Sequence, residues 1–160
     1  MAQVDYFLKI EGVDGESTDD KHKGEIDILS FSWGVANMGT HGSGGGGGAG
    51  KAVFQDVHFT TKVNKSSPKL FLACATGEHF KKAVLTVRKA GKDQQEYYKV
   101  SLSDCLVSSY QSVGGGDPIA TDQFSMNFAK VEFEYKPQKA DGTLDAAVKA
   151  GYDVAANKKV

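Results

Sequence analysis

Residues 45–52, GGGGAGKA, come closest to a catalytic signature, because they match the phosphate-cradling spacing G-x-x-x-x-G-K. Such a loop works when a buried strand precedes it, a helix N-terminus follows it, and a Ser or Thr hydroxyl reaches Mg²⁺. Ala52 removes that hydroxyl, and the residues after it alternate like a strand. Nucleotide chemistry is therefore not expected. The acidic stretch around His22, with Asp14, Glu16, Asp19 and Asp20, is the next candidate, as a metal site. It lacks the calcium-loop pattern and has no second histidine at a ligand spacing, so a solvated loop is expected. His22, His41, His58 and His79 are scattered, with neither HExxH nor CxxC between them. The run His41-Gly42-Ser43-Gly44 has the look of an oxyanion loop, but no G-x-S-x-G elbow supplies a nucleophile. Cys74 and Cys105 each sit in apolar surroundings and read as small buried hydrophobes. These residues specify no enzyme, no cofactor and no metal.

Chain-wide properties narrow the choice further. The 160 residues suit one domain, 1–160, with a full core. Nineteen basic and 20 acidic side chains leave a net charge of −1, which argues against broad attraction to nucleic acid or an anionic membrane. No run approaches the ~20 apolar residues that span a bilayer. The N-terminus, MAQVDYFLKIEGVDGE, has no basic start or long apolar stretch, so no cleavable signal peptide is expected.

The elements follow from periodicity. Residues 4–10 predict a strand with Tyr6, Leu8 and Ile10 on one face and Asp5 and Lys9 on the other. Residues 26–35 predict a second, with Leu29, Phe31, Trp33 and Val35 on one face; Ser30 and Ser32 face the other way, beside Ile26 and Ile28. Residues 38–51 are dominated by glycine and predict a long flexible loop. A third strand, 52–63, places Val53, Val57 and Phe59 inward. The stretch SSPKLFLACATG, 66–77, predicts a helix of about ten residues capped by Ser67, started by Pro68 and ended by Gly77. Its stripe of Leu70, Phe71, Cys74 and Ala75 needs a sheet to cover it.

Residues 83–89 and 96–107 predict a hairpin around Ala90-Gly91-Lys92-Asp93, with Tyr98, Val100, Leu102 and Leu106 sharing a face. In 123–135, Phe124, Met126 and Phe128 are apolar at even positions, but Val131, Phe133 and Tyr135 at odd ones. A bulge or bend near Ala129-Lys130 is therefore expected, which would let one strand serve two sheets. The tail, 137–160, is expected to be partly ordered, with a short helix at 144–148 and frayed last residues. The sum is a mainly β fold: a compact antiparallel β-barrel of two sheets with one short α-helix packed on one side. Long sheet edges and a glycine loop point to contacts between chains rather than catalysis.

Four blocks carry a resemblance over essentially the whole chain: GESTDDKHKGEIDILSFSWG, KSSPKLFLACATGEHFKKAVLTVRKAG, SSYQSVGG and FSMNFAKVEFEYKPQKADG. Together they resemble the haemolysin-coregulated protein family, the tube proteins of the bacterial type VI secretion system. The resemblance implies a homohexameric ring with a wide channel, stacked into a tube inside a contractile sheath and tipped by a spike trimer. It also implies small effector proteins held in the lumen, and a path from the bacterial cytoplasm to the outside or into a target cell without a signal peptide. In such a ring the loop 38–51 reaches neighbours, making Gly39, His41, Gly45 and Lys51 candidate ring or stacking contacts. The loop is expected to order when rings stack. Ser30, Ser32, Ser101 and Ser103 are candidates for the lumen face, and Leu70, Phe71 and Cys74 for helix core anchors. The competing readings are a secreted effector, disfavoured by a tail too short for a folded enzyme, and a monomeric carbohydrate-binding β-module.

Overall fold

The computed structural model describes residues 4–39, 51–89 and 94–160. Eleven strands and one helix appear among them: β1 (Val4–Ile10), β2 (Ile26–Ile28), β3 (Ser30–Ser32), β4 (Val35–Asn37), β5 (Ala52–Phe54), β6 (Val57–Lys62), α1 (Ser67–Thr76), β7 (His79–Lys89), β8 (Glu96–Val113), β9 (Thr121–Tyr135), β10 (Val148–Asp153) and β11 (Lys158–Lys159). All pairings are antiparallel. The ladder runs β2-β1-β7-β8-β9 and forks at β9, to β6 and β3 on one branch and to β10 and β11 on the other. Strands β4 and β5 form a separate two-stranded ribbon.

The two sheets are thus unequal, and the expected barrel does not close. The predicted strand 26–35 breaks at Leu29: β2 pairs with β1, while β3 pairs with β6. Ile26 and Ile28 face the core, Leu29 turns out to half exposure, and Phe31 then faces in. The face therefore reverses at Leu29, whose N–H donates to Thr60 O at 2.8 Å. This corrects the expected single strand with Leu29, Phe31, Trp33 and Val35 on one face: Leu29 and Val35 are exposed, while Phe31 and Trp33 pack against the core. Strand 52–63 breaks likewise at Gln55-Asp56, leaving Val53 exposed and Val57 and Phe59 buried. Trp33 packs edge-on against Phe133 at 5.4 Å and donates its indole N–H to Tyr98 Oη at 2.7 Å.

Helix α1 spans ten residues, and Gly77 ends it at φ 70°, a conformation that costs a side-chain-bearing residue energy. The start differs from expectation. Ser66, not Ser67, holds the N-cap position, without a side-chain cap. The Ser67 hydroxyl instead accepts from Asn64 N–H at 3.0 Å and donates to Asp122, a fully buried carboxylate on β9. Tyr110 Oη donates to the other Asp122 oxygen at 2.7 Å. A negative group beside the positive end of a helix is stabilising, so Asp122 ties α1 to the sheet. Of the expected anchors Leu70 is fully buried, Cys74 is half-buried and Phe71 is exposed. Phe71 is therefore not a core anchor of the subunit; Ala73, three residues after Leu70, takes that place.

Strand β8 runs to Val113, six residues past expectation, and its face reverses at Asp104, where φ is +47°. Cys105 and Val107, not Leu106, continue the buried side. Cys105's burial pushes its thiol up to about 11, so it behaves as a small hydrophobe. On β9 the buried face passes from Phe128 to Val131, the parity change expected near Ala129-Lys130. The helix expected at 144–148 does not form: Leu144 makes an isolated bridge with Gln138, and β10, starting at Val148, pairs with β9 over residues 130–135. The turn at Ala90-Gly91-Lys92-Asp93 lies outside the described residues, though its flanking arms pair from Arg88↔Glu96 onward.

Most of the loop 11–23 is exposed, as expected, but Val13, Gly15, Ser17 and His22 are buried. Gly15 lies against the backbone at Glu25, where a Cβ would come within 2.3 Å of the carbonyl oxygen. His22 is buried and stacks on Phe7 at 4.3 Å. Its Nδ1 faces the Glu25 carboxylate at 2.9 Å and its Nε2 the Glu96 carboxylate at 2.6 Å. Beside it the buried Arg88 guanidinium donates to both oxygens of Asp19, at 2.8 and 3.0 Å, and to Asp5 at 3.0 Å. Phe7, placed by the alternation opposite Tyr6 and Leu8, fills this second face, with Arg88 4.8 Å over its ring.

Two predictions follow from this packing. Leu70→Ala is expected to cost about 2–5 kcal/mol of stability and Phe71→Ala within about 0.5 kcal/mol, read by denaturant unfolding; equal losses would move the brace to the outer helix face. Arg88's hydrogen bonds hold the Asp19 carboxyl down at about 2, against an ordinary 3.8. A depressed carboxylate stabilises above its unfolded value and loses that contribution as pH falls toward the folded one. Stability should therefore drop between about pH 4 and pH 2, and Asp19→Asn should be weaker at neutral pH and flatter across that window. Identical acid profiles would remove Asp19 from the latch.

Candidate functional site

The outer face of β3, β6, β9 and β8 is built from small polar side chains, and the register explains why. Strands that bury Phe31, Phe59 and Phe124 must present their alternate residues outward. In one row Ser32, His58, Ser125 and Ser109 lie opposite one another across four strands; in the next lie Ser30, Thr60, Gln123 and Gln111. A register shift between Val107 and Ser109 then places both Ser108 and Ser109 against Ser125. This is the two-against-one geometry of a bulge. Ser125 Oγ lies 2.7 Å from Ser108 Oγ and 2.5 Å from Ser109 Oγ. Asp56, on the turn between β5 and β6, accepts from Ser108 Oγ at 2.6 Å and from Asn127 Nδ2 at 2.8 Å.

The hydrogen bonds on this face link a carboxylate to hydroxyls and an amide. The arrangement offers donors and acceptors of short reach, with little charge and no large apolar side chain. Such a surface makes weak, unselective contacts. Among the described residues no group of three or more His, Cys, Asp or Glu is placed to hold a metal ion, and no helix is long and apolar enough to cross a membrane.

Ser30 and Ser32 stand on this face and are exposed. Ser101 and Ser103 do not join them. They lie beyond the reversal at Asp104, opposite Glu132 and Lys130, which pair with each other at 3.3 Å. Ser101 lines a cleft of about 230 Å³ with Glu132, Glu134, Lys149 and Val160, a charged setting. Gly39 is exposed, and Lys51 is exposed just before β5; His41 and Gly45, and the expected ordering of their loop, lie outside the described residues. The residue after Lys51 starts a strand, which is the arrangement that argued against a phosphate loop. Sequence reasoning missed Ser108, Ser109, Ser125, Asp56 and Asn127. The clustered hydroxyls of SSY at 108–110 were the available signal, but only the register shift aims both serines at one partner.

The described residues make a mainly β fold with one helix, an open forked sheet and a polar outer face. Residues 7–135 match the family model described as "Type VI secretion system effector, Hcp". The chain is 47% identical over 157 residues to Protein hcp1 of Pseudomonas aeruginosa, covering 96% of this chain and 97% of that one. Among solved structures, one titled "Structure of a type six secretion system protein" superposes with a TM-score of 0.92 at 33% identity, covering 98% of this chain and 99% of that one. Hcp1 of Salmonella typhimurium superposes at 0.80 with 34% identity, over 99% and 100%. The chain belongs to the Hcp family of type VI secretion proteins.

Removing the buried Ser125 hydroxyl takes one partner from Ser108, which keeps Asp56, and one from the exposed Ser109. Ser125→Ala is expected to lower stability by about 1–2 kcal/mol, read from the shift in denaturant midpoint. An unchanged midpoint would show the three serines to be independently hydrated.

Proposed function

We propose that this chain is a structural subunit of the type VI secretion inner tube. Six copies form a ring, rings stack into a tube inside the contractile sheath, and the spike trimer caps it. Small effector proteins travel in the lumen, and the assembly leaves the bacterial cytoplasm by contraction. The observation that carries this reading is a set of large apolar side chains left exposed on the surface of the chain. Leu29, Val35, Met38, Val53, Phe71, Leu72, Ile119 and Val148 are each at least half exposed, although the chain buries a continuous core from Leu8 to Val131. Apolar residues exposed singly are ordinary; Val35, Val53 and Met38, gathered on and beside one two-stranded ribbon, are the group that association would cover.

The lumen is assigned to the polar face of Ser30, Ser32, Thr60, Gln123 and Gln111. A channel that carries different proteins needs hydration without a strong field of one sign. The candidate contacts Gly39, His41, Gly45 and Lys51 belong to the segment that reaches a neighbouring copy. Sedimentation equilibrium tests the reading: a mass of six subunits is expected at micromolar concentration. A stable monomer at tens of micromolar would overturn it.

A further inference from the structure

The loop between β1 and β2, residues 11–25, is bonded to itself and tied to the sheet by side chains. Gly15 N–H bonds to Gly24 O at 2.8 Å, Ser17 N–H to Glu25 O at 2.9 Å, and Gly24 N–H to Ser17 O at 2.8 Å, so the segment holds together as one piece. Asp19 ties it to Arg88 on β7, and His22 ties it to Glu96 on β8. The two ties respond differently to pH. Their shared hydrogen bonds hold the Asp19 carboxyl down at about 2 and the Arg88 guanidinium above its ordinary value. That pair therefore keeps both charges from about pH 5 to about pH 9.

His22 is placed differently. The residue is 7% exposed, and each ring nitrogen meets a carboxylate. Nδ1 lies 2.9 and 3.0 Å from the two Glu25 oxygens, and Nε2 lies 2.6 Å from Glu96 Oε1. A neutral imidazole has one N–H donor and one acceptor nitrogen, so one contact would set a lone pair against a carboxylate. The ring with two N–H groups donates to both. Stacking on Phe7 at 4.3 Å, with the planes 7° apart, holds the ring in that orientation. The charged groups around it are Glu25 and Asp19 from its own loop, Arg88 on β7 beside the same Phe7 ring, Asp5 on β1 bonded to Arg88, and Glu96 on β8.

We propose that His22 is a proton-operated latch. With both nitrogens protonated it clamps the loop 11–25 to β8 through Glu96; on losing one proton it frees Glu96 and loosens that side of the loop. The contribution is present below the pH at which the folded chain releases this proton, and it is lost as pH rises through that point. Its sign is opposite to the acid loss at Asp19. Histidine ordinarily changes charge between about pH 5 and pH 8, where the Arg88–Asp19 tie stays closed. The loop therefore opens at one end while the other stays fastened. The device belongs to the subunit itself and does not rest on the tube reading.

Amide exchange read by mass spectrometry on the full chain, corrected for the intrinsic effect of pH on exchange, tests the latch. Peptides from residues 15–25 should exchange roughly tenfold faster at about pH 9 than at about pH 6, while peptides from β9 keep their protection. His22→Gln, neutral at every pH, should exchange at the fast rate throughout. Glu96→Gln removes the second carboxylate and should move the opening to lower pH. Loop exchange that does not change with pH, or that changes equally in His22→Gln, overturns the latch. Where His22→Gln does not fold, Glu96→Gln decides: opening at the same pH as in the unsubstituted chain overturns it.

Discussion

Strand β9 is paired along one side with β8 over its full length, and along the other with two different strands. Residues 121–126 bond to β6 and residues 130–135 to β10. A period-2 strand can do this only if its buried face changes between the two segments. The change falls at Phe128–Val131, and β8 changes at the same level through the left-handed Asp104. Because both strands reverse together, the register holds at Phe128↔Cys105 and again at Lys130↔Ser103. The Ala129 carbonyl then accepts the amides of Val154 and Ala155, at 2.8 and 3.3 Å, which fastens the tail to the bend. The fork in the sheet, the polar outer face on one branch and the charged cleft on the other all depend on this reversal.

Two polar devices hold elements onto that frame. Asp122 gathers Ser67 and Tyr110 at the N-terminal end of α1, fully out of water. Removing one partner of such a buried charge is costly because the other is left without compensation. On the opposite side Arg88 binds Asp19 with both terminal nitrogens and Asp5 with one, which suits a planar guanidinium. The same loop brings His22 between Glu25 and Glu96, so β1, β7 and β8 share one covered face. Both devices leave the β3–β6 face and the β4–β5 ribbon uncovered.

The division between an inward apolar face and outward short hydroxyls fits membership of the Hcp family. Exposed large apolar residues stand at strand ends, on the ribbon and on α1, while serine, threonine and glutamine occupy the outward positions of β3, β6, β9 and the end of β8.

The sequence by itself determined the element types: the helix with Pro68 and Gly77 at its ends, the strands with period-2 alternation, and the parity change near Ala129-Lys130. It also carried the family in the order and length of its blocks. Those features depend on neighbours a few residues apart, where propensity and alternation act. Only the tertiary structure decided which alternation faced the core. Alternation along a continuous strand puts Leu29 on the face of Phe31 and Val53 on the inward face of Val57; breaks at Leu29 and Gln55-Asp56 leave both exposed. Phe71 looked like an anchor because it shares the helical stripe of Leu70, yet it stays exposed, its ring 6.3 Å from that of Tyr110, while Leu70 and Ala73 are fully buried. His22 looked solvated until Phe7, Glu25 and Glu96 closed around it. The serine network stayed hidden for the same reason. Asp56, Ser108 and Ser125 are far apart in sequence, and a one-residue register shift, set by long-range pairing, is what makes them neighbours.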